Sequence, residues 1–122
     1  MTTVSWLSLV LIAVGGAIGA TLRFAVQSSL GVDAIPLGTL TVNVSGSFLL
    51  AVLTAMSVDA GTAALLGTGL CGAFTTFSSF AVETVRLWEE GDPTRAVGYA
   101  AGTLILASGA VGAGWLLGRS LV

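Results

Sequence analysis

Gly69-Leu70-Cys71-Gly72-Ala73-Phe74-Thr75-Thr76-Phe77-Ser78-Ser79-Phe80 is the stretch on which the reading of this chain turns. It sets two glycines, four hydroxyl residues and three phenylalanines inside a sequence that is otherwise strongly apolar. In hydrocarbon every backbone polar group needs a partner, so such a block must be buried in protein or line a wet cavity. Helices interrupted at mid-membrane mark ion or substrate sites. The block therefore predicts a break in a membrane helix between Gly72 and Ser79, and that break is where function is sought.

The rest of the composition supports a membrane setting. Of 122 residues, 55% are hydrophobic and 8% charged, with a mean hydropathy of +1.01; a soluble domain carries roughly a quarter of its residues as charges. A crossing takes about 20 helical residues, so the length allows four or five crossings and no soluble domain beside them. The expected fold is all-α, an integral membrane protein of four transmembrane helices forming one domain over residues 1–122. There is no lysine or histidine, and the basic residues are Arg23, Arg86, Arg95 and Arg119, which excludes nucleic-acid binding. Without histidine, and with Cys71 alone, the chain lacks the usual general base, transition-metal ligands and an internal disulfide. No nucleophile and base pair up, so it does not read as an enzyme.

Four apolar stretches are visible: about Val4 to Leu30, Leu37 to Ser57, Thr62 to Trp88 with the block inside it, and Thr94 to Leu117. The first has no basic leader and no cleavage site, and reads as a retained membrane helix. Gly31 and Asp33 precede Pro36, a residue suited to a helix start. Val58-Asp59-Ala60-Gly61 and Glu89-Glu90-Gly91-Asp92-Pro93 read as loops. Both termini then lie on one side. Trp6, Trp88 and Trp115 fall near span ends, as interfacial anchors do. Three arginines lie toward one side, while Arg119 and the amino terminus lie toward the other. So small a bias leaves insertion in both orientations open, and with it an antiparallel dimer. Gly15 with Gly19, Gly16 with Ala20, Gly98 with Gly102, and Gly114 with Gly118 are small-xxx-small pairs for close helix packing, within the chain or against another subunit.

Several residues could carry chemistry. Thr39, Asn43 and Ser47 share one stripe of the second helix; interhelical hydrogen bonding and a pathway role are both open for the hydroxyls. The Asn43 amide is costly to bury unsatisfied, which favours the pathway. Phe77 and Phe80 face one way, with Phe74 behind them and Thr75, Thr76, Ser78 and Ser79 interleaved. An aromatic ring has a positive edge that can meet an anion without the grip of a full charge. Weak, repeated sites suit conduction. Arg23 can snorkel or draw anions into a vestibule. Glu83 is the acidic residue most clearly inside a span and is read as functional, with pairing to Arg86 as its alternative.

These residues resemble the Fluc (CrcB) fluoride channels of microbes. The likeness rests on Gly15-Gly16-x-x-Gly19-Ala20-x-x-Arg23-Phe24, on Gly38-Thr39-Leu40-x-Val42-Asn43-x-x-Gly46-x-Phe48, and on the block from Gly69 to Phe80. With length and layout, they cover nearly the whole chain. The resemblance implies a dual-topology, antiparallel dimer in the cell membrane, multi-pass, passing fluoride passively out of the cytoplasm. The partner is a second copy or an inverted paralogue. It also implies a structural sodium ion (Na+) at the dimer interface, held by backbone carbonyls of Gly72 and Thr75. By the same resemblance, Phe77 and Phe80 line the pore and Asn43 faces it. Ser78 and Ser79 follow the break, Glu83 stands near one pore end, and Tyr99, Thr103 and Ser108 belong to a polar track on the fourth helix. Ala73, Ser79 and Ala81 depart from residues common in the family. The competing reading is a small four-helix multidrug or cation exporter, which needs a glutamate in its first helix; the first span here has no acidic residue.

Overall fold

The computed structural model describes residues 4–31 and 34–122. Asp33 and the terminal amine, both used above, lie outside the described residues. Four helical spans long and apolar enough to cross a membrane run Trp6–Leu30, Leu37–Ala55, Ala60–Glu89 and Pro93–Ser120, and no strand occurs among the described residues. The first is α1 and the second α2. The third span is composite: a short α3 (Ala60–Thr62), a π-helix (Ala63–Cys71), α4 (Gly72–Phe74) and, after the break, α5 (Phe77–Glu89). The last span is α6, Pro93–Ser120.

Side-chain caps start most of these helices. Ser5 accepts from the Ser8 amide before α1, Asp59 from Thr62 before α3, and Asp92 from Arg95 before α6. Each satisfies one of the orphan N–H groups of a helix start. Hydrogen bonds to Thr62 hold the Asp59 carboxyl below its ordinary range. Pro93 is not a loop residue as the sequence suggested. It is the first residue of α6, a position where its missing N–H costs nothing and its φ is already helical.

α2 is the central element, with Val42, Ala51, Val52, Leu53 and Ala55 buried. It packs chiefly on α6, while α1 packs chiefly on the π-helix. Missing side chains permit both contacts. A Cβ on Gly118 would lie 2.6 Å from the Val52 carbonyl oxygen, and one on Gly114 would collide with that of Phe48. Gly15 and Gly19 likewise bring α1 onto the backbones of Leu65 and Leu70. A Cβ on Gly98 or Gly102 would meet no neighbouring element within 4 Å among the described residues. Outward faces carry exposed apolar residues such as Leu104, Ile105 and Leu116, as hydrocarbon contact requires, and Trp6, Trp88 and Trp115 are all exposed.

Candidate ion pathway

The break is shorter than the sequence suggested. Only Thr75 and Thr76 leave the helix, both with extended backbone (φ −82°, ψ 156° and φ −149°, ψ 115°), a conformation that suits β-branched residues. Gly72 is still helical. The Thr75 amide and hydroxyl both return to the Cys71 carbonyl, at 3.1 and 3.0 Å, which closes the first half-helix. Thr76 opens the second, its hydroxyl accepting from the Ser79 amide at 3.1 Å.

Asn43 spans the gap from α2. Its Oδ1 accepts from the Thr76 amide at 2.7 Å, and its Nδ2 donates to the Thr76 carbonyl at 3.0 Å. The amide thus replaces both backbone bonds that a continuous helix would have supplied at Thr76. The Thr76 amide that would close a regular turn onto the Gly72 carbonyl is diverted, so the end of α4 presents carbonyl oxygens without their usual partners. Gly46 makes the docking possible, since a Cβ there would fall on the Thr75 methyl and lie 3.3 Å from the Phe74 ring. One hydrogen of Asn43 Nδ2 remains uncommitted among the described residues.

Around this clamp lies a cleft of about 340 Å³, lined by Asn43 and Ser47 of α2, Thr76, Phe77 and Phe80 at the break, and Thr103 of α6. Phe77 and Phe80 stand 5.8 Å apart by ring centroids, and Phe80 continues to Tyr99 at 5.6 Å. The Thr103 hydroxyl is buried and has no partner among the described residues. An orphaned hydroxyl beside a cleft is a donor available to a visitor. Beyond Phe80, the Tyr99 hydroxyl donates to Glu83 at 3.1 Å. Arg86 pairs with Glu90 at 3.2 Å rather than with Glu83.

The structure therefore gathers Asn43, Phe77, Phe80, Thr103, Tyr99 and Glu83 along one track. Thr39 joins it, buried at the same end. Ser79 is half-buried, and Ser78 is exposed, within 3.2 Å of the Thr76 hydroxyl. Two other candidates stand apart. Ser108 is exposed, and Ala107 occupies the cleft-lining position one turn after Thr103. Arg23 is half-buried on α1 and borders none of the cleft. Phe77 is 80% exposed, so the chain alone does not enclose what this ring borders. Sequence reasoning missed Gly46 as the seat of the break, although it stood in a quoted motif. It also missed the π-helix, which carries no composition signal.

A chain with four membrane-length helices, an interrupted third span, and uncommitted donors and carbonyls at the break belongs to the class of small ion-pathway proteins. Residues 10–115 match the family described as CrcB-like protein, Camphor Resistance (CrcB), and the chain belongs to that family. It is 52% identical over 108 residues to the fluoride-specific ion channel FluC 1 of Halobacterium salinarum, covering 88% of this chain and 91% of that protein. It is 47% identical over 120 residues to the fluoride-specific ion channel FluC of Thermotoga maritima, covering 91% and 94%. Against that of Paracoccus denitrificans the identity is 42% over 115 residues, covering 90% and 93%.

Proposed function

We propose that this chain is a subunit of a fluoride-selective channel that lets fluoride leave the cytoplasm down its electrochemical gradient. It acts as a channel and not as an enzyme. Family membership and the naming of relatives at 42–52% identity support the ion. The observation that carries the reading is the Asn43 clamp on Thr76, which opens the helix beside a ring-lined cleft. Fluoride is small and strongly hydrated, so a pore must replace its lost water with donors. The spare Asn43 hydrogen, the Thr103 hydroxyl and the edges of Phe77 and Phe80 are the donors available, and none carries a charge strong enough to trap the ion. Liposomes containing the protein should release fluoride rapidly once a potassium ionophore is added, and chloride far more slowly. Absent or equal release would overturn the reading.

The working unit is proposed to be an antiparallel dimer with itself or an inverted paralogue. Two features support a second subunit: Phe77 is open on its outer side, and a Cβ on Gly72 would approach only the Gly67 oxygen, at 3.9 Å. Nothing among the described residues demands glycine at that position. The released carbonyls also suit a hard cation, so Gly72 and Thr75 would hold the sodium ion through backbone oxygens. A bound ion would supply positive charge to these carbonyls; Thr75 and Thr76 keep the backbone extended there, and Asn43 engages the amide and carbonyl of Thr76. Exchanging sodium for a large organic cation should lower the melting temperature of the purified protein, and an unchanged midpoint would remove the ion from the proposal. No observation favours a cation exporter.

A further inference from the structure

Hydroxyl residues inside these helices share a habit. Thr21, Ser29, Ser45, Thr54 and Thr84 each donate to the carbonyl oxygen four residues back in their own helix, the common way for serine and threonine to satisfy a hydroxyl within a helix. Ser47 of α2 departs from it. Its place in the helix offers the Asn43 carbonyl, yet its hydroxyl makes no hydrogen bond among the described residues. Nor is its oxygen sealed. The buried hydroxyl left without a partner is that of Thr103, whereas Ser47 is half-buried, keeps accessible surface on its oxygen, and lines the cleft of about 340 Å³ beside the break.

The two long walls of that cleft differ. α6 contributes Thr103 and, one turn on, Ala107, so its hydroxyls stop where a methyl group begins. α2 contributes Asn43, then Ser47 one turn on, then Leu50. Four helical residues advance about 6 Å along the axis. Ser47 therefore stands one short step from the Asn43 amide, and it is the last donor on the α2 wall before the lining turns apolar.

We propose that Ser47 is a further ion-pathway residue: its hydroxyl donates to fluoride in the cleft, one turn beyond the Asn43 amide, and supplies from α2 the donor that α6 lacks at Ala107. The inference rests on the reading that fluoride passes through this cleft. When no ion is present, the hydroxyl can turn to the Asn43 carbonyl as Ser45 does to that of Thr41. A donor with that alternative binds an ion without holding it, which suits one in a series of weak sites. The competing role for an open hydroxyl is a hydrogen bond to a second subunit.

Fluoride efflux from liposomes, run with the full chain, separates these roles. Ser47→Ala should slow efflux about tenfold, the lower end of what a hydrogen bond to a charged group contributes, because water in the open cleft replaces part of it. Its elution position should stay that of the wild type. Ser47→Thr keeps the hydroxyl and should pass fluoride at close to the wild-type rate. Ser45→Ala should do the same, since that hydroxyl is committed to the Thr41 carbonyl and Ser45 borders none of this cleft. Undiminished efflux in Ser47→Ala would overturn the inference and leave the channel reading standing. Equal losses in Ser47→Ala and Ser47→Thr would also overturn it, because cleft volume and not a donor would then be at work. A loss accompanied by a shifted elution position would assign the hydroxyl to a subunit contact instead. Wild-type protein that passes no fluoride would overturn the channel reading, and the role of Ser47 with it.

Discussion

Replacing Asn43 with leucine separates two jobs that one amide performs. The side chain makes two bonds to Thr76, at 2.7 and 3.0 Å, both partly buried. Leucine has the same branched arrangement of heavy atoms, with methyl groups in place of the amide oxygen and nitrogen, so the position on α2 stays filled while an N–H and a C=O at membrane depth lose their partners. Each stranded group costs about 1–3 kcal/mol, which sets a range of about 2–6 kcal/mol. Interhelical hydrogen bonds in membranes average nearer 0.6 kcal/mol, because unfolded chains also find partners. Here the acceptor and donor are backbone at a break with no neighbouring turn to turn to, while the adjoining cleft lets water relieve part of the loss. The lower end of the range, about 2 kcal/mol, is therefore expected, equivalent to a fall in melting midpoint of roughly 8 °C for a chain of this size. The assay is thermal unfolding of purified protein followed by size-exclusion chromatography, run beside fluoride efflux. Ser47→Ala, on the same stripe and without a hydrogen bond among the described residues, should leave the midpoint where it is. If Asn43→Leu abolished efflux at an unchanged midpoint, the amide would act on the anion alone, and the clamp would not be what holds the break.

Three further outcomes are expected. Phe80→Ile should slow fluoride efflux strongly, because an aliphatic chain fills the cleft wall without a positive ring edge, while elution as the wild-type assembly persists; unchanged efflux would return Phe80 to the core. Gly118→Ala should destabilise by about 1–3 kcal/mol through overpacking against the Val52 backbone, whereas Gly109→Ala, whose added methyl meets no neighbouring element within 4 Å among the described residues, should not; equal effects would contradict the packing of α6 on α2. Because the Asp59 carboxyl sits below its ordinary value of 3.8 in the folded protein, its contribution to stability is present above that value and is lost as pH falls through the lower folded one. Asp59→Asn, which still caps, should flatten the acid limb of a melting-against-pH curve, and an identical limb would show that Asp59 has no part in it.

How far the sequence carried depends on the range of the interactions involved. The four spans were legible because hydrophobicity and length are local. The ends of the spans lie within a few residues of those read from hydrophobicity and turn residues, and Ala60, Gly61, Glu89 and Pro93 changed sides, from loop to helix. The break was legible as a region but not to the residue. Gly72 and Ser79 look like its limits, yet Gly72 stays helical and Thr75 and Thr76 alone extend. What decides this is Asn43, thirty-three positions away in sequence, and no local pattern reports such a partner. The same limit explains Ser108. The resemblance places it in the track, but the helical turn that follows Thr103 at the cleft delivers Ala107.

Glycine shows the remaining limit most clearly, because one residue type serves opposite purposes in this chain. Gly114 and Gly118 are required by backbone that lies against them, whereas Gly98, Gly102 and Gly72 touch little or nothing of their own chain. Spacing makes Gly98 with Gly102 look like Gly114 with Gly118; only the neighbour distinguishes them. Open glycines would cost helix stability for no return in an isolated subunit. The exposed ring of Phe77 and the carbonyls left at the end of α4 raise the same question on the third span. All become reasonable together if a second subunit closes the pathway, with its backbone approaching where side chains are missing. On that argument the single chain would contain half of a pore wall, and the Asn43 clamp would be the device that keeps the break presented outward before assembly.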